Sequence, residues 1–189
     1  MTQQEIMQRV LEEKVIAIVR GVETAQCMKV AEALYNGGIR LMEVPFNAKD
    51  PSSDETTAAC IAALAETYGG KMLVGAGTVL NIRQVELTAK AGGSYIIAPN
   101  VDVNVIRRTV ELGMVSMPGA MTPTEIETAH EAGAGFVKLF PAAELGTGYV
   151  KAVRAPLSHI KLLAVGGISE KNFADFLKAG VVGAGVGGN

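Results

Sequence analysis

Short apolar runs and longer amphipathic stretches alternate along the whole chain. The apolar runs are continuous rather than interleaved with polar residues, which is the pattern of parallel strands buried on both faces. Most of the amphipathic stretches end in glycine just before the next apolar run, where a left-handed residue ends a helix and returns the chain to a strand. Eight strands are predicted, near residues 15–20, 41–46, 72–78, 95–99, 114–118, 136–140, 161–166 and 182–187.

Polar caps and proline mark the starts of several predicted helices. Thr24 begins one, Ser52 and Ser53 begin another, and Pro123 lies in the first turn of a third. An additional helix over about residues 2–13 precedes the first strand.

Strict alternation of strands with helices predicts an α/β fold, a closed (β/α)8 barrel with an extra N-terminal helix. No GxGxxG motif opens a helix after the first strand, which disfavours an open, doubly wound dinucleotide-binding sheet. The sequence contains no linker or low-complexity segment, so residues 1–189 are expected to form one domain. The chain stops directly after the eighth predicted strand, and the last helix of the barrel is therefore expected to be missing from it.

Composition and charge exclude several classes of function. The net charge is −2 and no basic cluster is present, so the electrostatic signature of a nucleic-acid-binding protein is absent. No apolar run approaches the ~18–20 residues of a membrane span, and the polar, acidic N-terminus does not resemble a secretory signal. Cys27 and Cys60 lie in predicted helices without metal-ligand spacing, and we interpret them as reduced packing residues. We expect a cytoplasmic protein that binds neither nucleic acid nor membrane.

Lys138 is the first candidate for chemistry. Active-site groups of a (β/α)8 barrel come from the carboxyl ends of its strands, and Lys138 lies within the sixth predicted strand, where lysine is rarely buried without a reason. Desolvation lowers the pKa of a lysine, and the neutral amine can attack a carbonyl to form a Schiff base. The alternative is a lysine whose ammonium group reaches solvent from a strand end.

Glu43 is the second candidate, since it lies between Met42 and Val44 in a strand that otherwise lacks charge. Apolar surroundings raise the pKa of a carboxyl group towards neutrality, which suits a general acid–base. The alternative is a structural ion pair with Lys138 or another basic residue.

Glycine pairs follow the seventh and eighth predicted strands, where barrels often bind phosphate. Gly166 and Gly167 form the first pair and Gly187 and Gly188 the second, and ordinary tight turns are the alternative interpretation. No HxxxH, HxH or clustered-carboxylate pattern predicts a metal site, and no Gx4GK[ST] loop predicts ATP chemistry.

Taken in chain order, these segments resemble one known family, that of 2-keto-3-deoxy-6-phosphogluconate (KDPG) aldolase. The family includes aldolases for the phosphogalactonate epimer (KDPGal) and for 4-hydroxy-2-oxoglutarate (KHG). The similarity covers nearly the whole chain and lies in the segments IVRG, EVPFN, VGAGTVLN, APN, MPGAMTPTE, FVKLFPA, AVGGIS and GVGGN. The resemblance implies a class I aldolase on a (β/α)8 barrel that needs no metal or cofactor and is usually a homotrimer.

The resemblance also assigns roles to residues of this chain. The Schiff-base lysine of the family matches Lys138, and its acid–base glutamate matches Glu43. The match implies that Thr78, with Gly75 and Gly77, holds the pyruvate end of the substrate, and that Pro99 and Phe140 form the pocket wall. It implies that the phosphate is received by Gly166, Gly167, Gly187 and Gly188.

Two positions depart from the best-known branch of the family. That branch has a carboxylate-binding arginine four residues after the glutamate, where this chain has Asn47. This chain has Arg20 instead, and the resemblance implies an arginine at the same place in the KDPGal branch. Arg20 is therefore the candidate for binding the substrate carboxylate, which a planar guanidinium suits. The phosphate loop often carries serine where this chain has Gly188, so contact through the backbone alone is expected there.

The expected reaction is cleavage of KDPG to pyruvate and D-glyceraldehyde 3-phosphate. The same chemistry on KDPGal or on unphosphorylated 4-hydroxy-2-oxoglutarate is an alternative that the sequence leaves open. More distant alternatives on the same barrel are a phosphosugar epimerase or isomerase, in which Lys138 acts only electrostatically, and a non-catalytic phosphosugar-binding protein.

Overall fold

Strands and helices alternate along the chain as predicted. The structure is a computed structural model that describes residues 1–21 and 23–187. The helices are α1 (Gln3–Glu13), α2 (Thr24–Asn36), α3 (Asp54–Tyr68), α4 (Ile82–Lys90), α5 (Val103–Glu111), α6 (Pro123–Glu131), α7 (Ala142–Arg154) and α8 (Phe173–Ala179). The strands are β1 (Val15–Ile18), β2 (Leu41–Pro45), β3 (Leu73–Gly77), β4 (Tyr95–Ile97), β5 (Val115–Met117), β6 (Gly119–Ala120), β7 (Val137–Leu139), β8 (Leu162–Val165) and β9 (Gly183–Val186).

The strands form one parallel sheet in the order β5-β4-β3-β2-β1-β9-β8-β7-β6. Its two ends, β5 and β6, are consecutive pieces of one segment that Pro118 divides. β5 pairs with β4 and β6 pairs with β7, so this segment closes the sheet into the predicted (β/α)8 barrel. The eight predicted strands become nine because proline has no N–H to donate to a neighbouring strand.

The predicted N-terminal helix is α1, and it covers the amino end of the barrel. Thr2 caps it with a capping box, in which its backbone N–H donates to Glu5 Oε2 at 2.7 Å. Ile6 and Val10 on its inner face are buried among the side chains that fill the lower part of the barrel. Because this end is plugged, the functional residues have access to solvent at the carboxyl ends of the strands.

The other predicted helix starts are close to those observed. α2 begins at Thr24, and Pro123 is the first residue of α6 behind the capping residue Thr122. Ser52 and Ser53 belong instead to a short 3-10 turn, and α3 begins one residue later at Asp54.

Side chains alternate between the inside and the outside of the barrel along each strand, because the period of a strand is two residues. Leu41 of β2 and Phe136 before β7 are buried in the interior cluster. Glu43 and Lys138 lie two residues further along the same strands, and they therefore point into the barrel one layer above. Within the described residues, no helix has the length and hydropathy that crossing a membrane requires.

Candidate active site

The two predicted catalytic side chains lie inside the barrel on separate strands. Glu43 of β2 is 2% exposed and Lys138 of β7 is 8% exposed. Burial of an isolated charge is costly, so both groups are displaced towards their neutral forms.

Burial raises the pKa of the Glu43 carboxyl group from its ordinary value of 4.5 to about 7, while the positive charges of Lys138 and Arg20 oppose that rise. Its buried Oε2 atom has no hydrogen-bond partner among the described residues. A carboxyl group in this state exchanges a proton near neutral pH, which is what general acid–base catalysis requires.

Burial lowers the pKa of the Lys138 amine; the Glu43 charge raises it and the Arg20 charge lowers it further. The Lys138 Nζ atom lies 4.9 Å from the centroid of the Phe140 ring. The lysine is therefore held in a largely desolvated position from which its amine, once neutral, can act as a nucleophile.

Arg20 follows β1 on the exposed rim and acts electrostatically on both buried groups. A cavity of about 300 Å³ lies beside it, and Ile18, Val19, Val30 and Gly187 complete its lining. The structure thus brings three residues that were predicted separately, after β1 and on β2 and β7, into one electrostatic environment.

Two glycines of β3 provide the space that this interior arrangement needs. A Cβ at Gly77 would overlap the Glu43 carboxyl group, and one at Gly75 would overlap the Tyr95 ring. Both glycines are buried under these side chains, so the absence of a Cβ at the two positions leaves the space that Glu43 and Tyr95 occupy.

Tyr95 is a residue that the sequence reasoning missed. It is fully buried, its hydroxyl donates a hydrogen bond to Met42 O at 2.7 Å, and burial together with the Glu43 charge raises its pKa. It therefore supports the β2 backbone next to Glu43. A tyrosine inside an otherwise apolar predicted strand was the available signal, because a buried hydroxyl needs a hydrogen-bond partner.

Thr78 and Pro99 line the carboxyl end of the barrel after β3 and β4, and both are half-buried. Thr78 has a φ of 53°, in the left-handed region that a β-branched residue rarely adopts. Strain of this kind costs on the order of 1–3 kcal/mol and is concentrated at functional sites. Thr78 therefore has the strained backbone typical of functional positions, and its contact with substrate stays a prediction.

The loop after β8 contains the first predicted phosphate-binding pair. Gly166 and Gly167 have φ values of 93° and 69°, and a Cβ on Gly166 would lie 3.2 Å from the Phe140 ring. Ala143 N donates to Gly166 O at 3.0 Å, and Asn172 Nδ2 donates to Gly167 O at 2.8 Å. The carbonyl groups of the loop are thus held by protein donors, and the Gly167 N–H has no acceptor among the described residues.

Gly187, from the second predicted pair, follows β9 on the same rim and is exposed. A Cβ there would lie 2.6 Å from the Ile18 Cβ atom. Gly188 lies outside the described residues, so its predicted role stays a prediction. Among the described residues, no cluster of three or more His, Cys, Asp or Glu side chains could hold a metal ion.

Comparison with known proteins identifies relatives across most of the chain. Residues 6–189 match the family described as "Aldolase: KDPG and KHG aldolase". The 2-dehydro-3-deoxy-6-phosphogalactonate aldolase of Escherichia coli (strain K12) is 41% identical over 173 residues, which cover 91% of this chain and 82% of that protein. The 2-dehydro-3-deoxy-phosphogluconate aldolase of Treponema pallidum (strain Nichols) is 33% identical, with coverages of 87% and 75%.

A solved structure agrees in fold over nearly the whole chain. It is a KDPG aldolase from Legionella pneumophila with pyruvate captured as a covalent carbinolamine intermediate. The TM-score is 0.84 at 26% identity, and the match covers 95% of this chain and 85% of that one. The comparisons thus agree on one family, and the substrates named for its members differ.

Proposed function

Because the chain belongs to the KDPG and KHG aldolase family, and is therefore a carbon–carbon lyase, we propose that it is a class I aldolase in which Lys138 forms a Schiff base with a 2-keto acid. The observation that supports this proposal most directly is the buried pair itself. Desolvation favours a neutral Lys138 amine and a Glu43 carboxyl group that titrates near neutrality, in the same barrel interior. Family membership sets aside the epimerase, isomerase and non-catalytic alternatives.

The reaction begins with attack of the neutral Lys138 amine on the C2 carbonyl of the substrate. The carbonyl oxygen takes up a proton to give a carbinolamine, which loses water to give a protonated imine. Glu43 supplies and removes the protons of these steps, directly or through a water molecule, because its Oε2 is free of partners among the described residues.

Cleavage follows from the electron demand of the imine. Deprotonated Glu43 takes the proton of the C4 hydroxyl group, the C3–C4 bond breaks, and its electron pair enters the imine to form an enamine. The aldehyde leaves, C3 of the enamine is protonated, and water hydrolyses the resulting imine to pyruvate and the free Lys138 amine. Protons and electrons balance without an external cofactor.

Substrate binding is assigned to the rim of the barrel. Arg20 binds the substrate carboxylate as a bidentate donor, and its charge adds to burial in lowering the pKa of Lys138. Thr78, Pro99 and Phe140 surround the pyruvate portion, and Gly77 leaves the space that Glu43 occupies beside it. The phosphate is received by backbone N–H groups after β8 and β9, at Gly166, Gly167, Gly187 and Gly188.

We propose KDPGal as the preferred substrate, with pyruvate and glyceraldehyde 3-phosphate as products. The E. coli relative that carries this name has higher identity than the KDPG aldolases described above. The resemblance also implies an arginine in that branch at the position of Arg20. KDPG, the substrate expected from the sequence, is the second candidate because a 33% identical relative is named for it. Measurement of kcat/KM with KDPGal, KDPG and 4-hydroxy-2-oxoglutarate decides between them, and a higher value for KDPG or for the unphosphorylated acid would overturn this choice.

We also propose that residues 1–189 act as one domain and assemble as a homotrimer, as the resemblance implies. Leu80, Ile82 and Met121 are large apolar side chains exposed beside the carboxyl ends of the strands, and a subunit interface would cover such groups. Sedimentation equilibrium measures the mass of the assembly directly, and a monomeric mass would contradict the trimer.

Trapping with borohydride tests the Schiff base. Incubation with pyruvate and borohydride should attach a reduced pyruvyl group to Lys138, as located by peptide mass spectrometry. Lys138→Arg should abolish the adduct, whereas Lys161→Arg, which alters a lysine just before β8, should retain it. An adduct on another lysine, or an adduct that survives in Lys138→Arg, would refute the assignment.

A further inference from the structure

Two cysteines on neighbouring helices are buried in one apolar cluster outside the proposed active site. Cys27 of α2 and Cys60 of α3 are 0% and 4% exposed and pack in the same apolar cluster, as predicted for packing residues. Each thiol is also among the groups that shift the pKa of the other, so the two interact across the α2–α3 contact. The sequence does not show this proximity, because 32 residues separate the two positions along the chain.

Cys60 reaches a cavity that opens to the surface. The cavity has a volume of about 340 Å³ and lies between the starts of α2 and α3 and the loops that precede them. Thr24 lines it beside Cys60, and the exposed residue Asn47 and the residue Thr56 lie at its edge. A small solute can therefore approach Cys60, whereas Cys27 lies behind it and is fully buried.

The hydrogen bonding makes the two thiols unequal. The bond from Cys27 lowers the pKa of the Cys60 thiol against the opposing effect of burial, and a hydrogen bond from Thr24 lowers it as well. The same bond with Cys60, together with burial, raises the pKa of the Cys27 thiol. Cys60 is therefore the thiol that loses its proton first, and Cys27 in the same cluster stays protonated. Thiolates are the nucleophilic form of cysteine.

We propose that Cys60 and Cys27 form a redox modification site, in which a small hydroperoxide entering the cavity oxidises Cys60 and Cys27 then closes an intrachain disulfide between α3 and α2. This site is separate from the aldolase chemistry, since neither thiol lies in the barrel interior with Lys138 and Glu43.

The steps balance with hydrogen peroxide as the oxidant. The Cys60 thiolate attacks one peroxide oxygen, the O–O bond breaks, and the sulfur is oxidised to a sulfenic acid while hydroxide leaves and takes up a proton to form water. The Cys27 sulfur then attacks the Cys60 sulfur, an S–S bond forms, the S–O bond breaks, and the departing hydroxide takes the Cys27 proton as a second water. Two thiols and one peroxide thus give one disulfide and two waters.

The test is oxidation of the folded, full-length chain with hydrogen peroxide, followed by unfolding in an alkylating agent and peptide mass spectrometry. The expected product is a peptide pair joined through Cys27 and Cys60, with the loss of two hydrogen masses and both thiols protected from alkylation. A reductant should restore both thiols. If both cysteines remain alkylatable after oxidation of the folded protein, the proposal is wrong.

Two matched variants test the order of the steps. Cys27→Ser leaves Cys60 without a resolving thiol, so dimedone should label Cys60 as a sulfenic acid. Cys60→Ser leaves only the fully buried thiol, and dimedone should label Cys27 much less under the same conditions. Equal labelling of the two variants, or stronger labelling of Cys27, would overturn the assignment of Cys60 as the first site of oxidation. Circular dichroism of each variant before oxidation establishes that it is folded.

Discussion

The carboxyl group of Glu43 lies against the backbone of Gly77, in the space that a Cβ at position 77 would occupy. The two residues are on adjacent strands of the barrel, β2 and β3, and the register places Gly77 opposite Pro45. Because Glu43 is buried and its Oε2 atom has no partner within the described part of the chain, its position depends on the shape of its surroundings more than on hydrogen bonds. Glycine at position 77 is therefore part of what holds the proposed acid–base in place.

Gly77→Ala is expected to displace the Glu43 carboxyl group and to lower kcat. A misplacement of about 1 Å at a reacting group costs on the order of 100-fold in rate, and we expect a loss of that size in steady-state assays of pyruvate release. The yield of pyruvate trapped on Lys138 should fall less than kcat, because cleavage requires Glu43 as base.

Gly148→Ala is the matched control for this prediction. Gly148 lies in α7, a methyl group added to it would meet no other atom within 4 Å, and its backbone is not left-handed. Its replacement should leave kcat unchanged. Equal kcat values for the wild type and Gly77→Ala would show that the close approach of Glu43 to Gly77 is not needed.

Glu43→Gln is expected to lower activity and to raise stability. As a general acid–base, Glu43 contributes a factor of about 100 to 10,000 in rate. Its folded pKa is raised from 4.5 to about 7, so the folded state binds more protons than the unfolded state between these values, and stability falls as pH rises through that window.

Above pH 7 the ionised carboxylate therefore lowers the free energy of unfolding by about 3 kcal/mol. The neutral amide in Glu43→Gln does not lower it. Urea unfolding of the wild type and Glu43→Gln should show a stability difference above pH 7 that disappears below pH 4.5. A difference that does not change with pH would contradict the raised pKa.

The pH dependence of kcat/KM in the wild type should show a rise with an apparent pKa near 7, because the free enzyme needs ionised Glu43 as base. The Glu43 charge also raises the pKa of Lys138. In Glu43→Gln, the pH at which pyruvate and borohydride label half of Lys138 should therefore shift downwards. An upward shift, or none, would contradict the electrostatic coupling between the two residues.

Arg20→Gln is expected to raise KM more than it lowers kcat. A hydrogen-bonded contact between charged groups contributes about 1.5–3 kcal/mol, or roughly a ten- to hundred-fold change in KM. The loss of the positive charge should also move the apparent pKa values of Glu43 and Lys138 upwards, since Arg20 lowers both. Arg107→Gln, on the exposed face of α5, is the control and should change neither. An unchanged KM in Arg20→Gln would show that Arg20 does not bind the substrate.

Several features of the site could be predicted from particular residues. Lys138 and Glu43 stood out because a charged residue inside an apolar strand is costly, and the structure buries both. Tyr95 was missed because its role depends on a hydrogen bond to Met42, which belongs to a different strand. The short strand Gly119–Ala120 was missed as well, because the predicted fifth strand ended at Pro118.

Local patterns in the sequence were sufficient to predict the alternation of strands and helices and to single out Lys138 and Glu43 as candidates, whereas the family came from a resemblance of motifs. Hydrophobic periodicity and glycine punctuation are local properties, so a linear pattern can encode them. Which of these residues meet is visible only in the folded chain. Closure of the sheet through β5 and β6 brings Arg20, Glu43 and Lys138 close enough for their charges to shift the pKa values of Glu43 and Lys138. Packing of α2 on α3 brings Cys27 and Cys60 into one buried cluster. Such encounters depend on strand register and helix packing over long separations in the chain, and no local pattern specifies them.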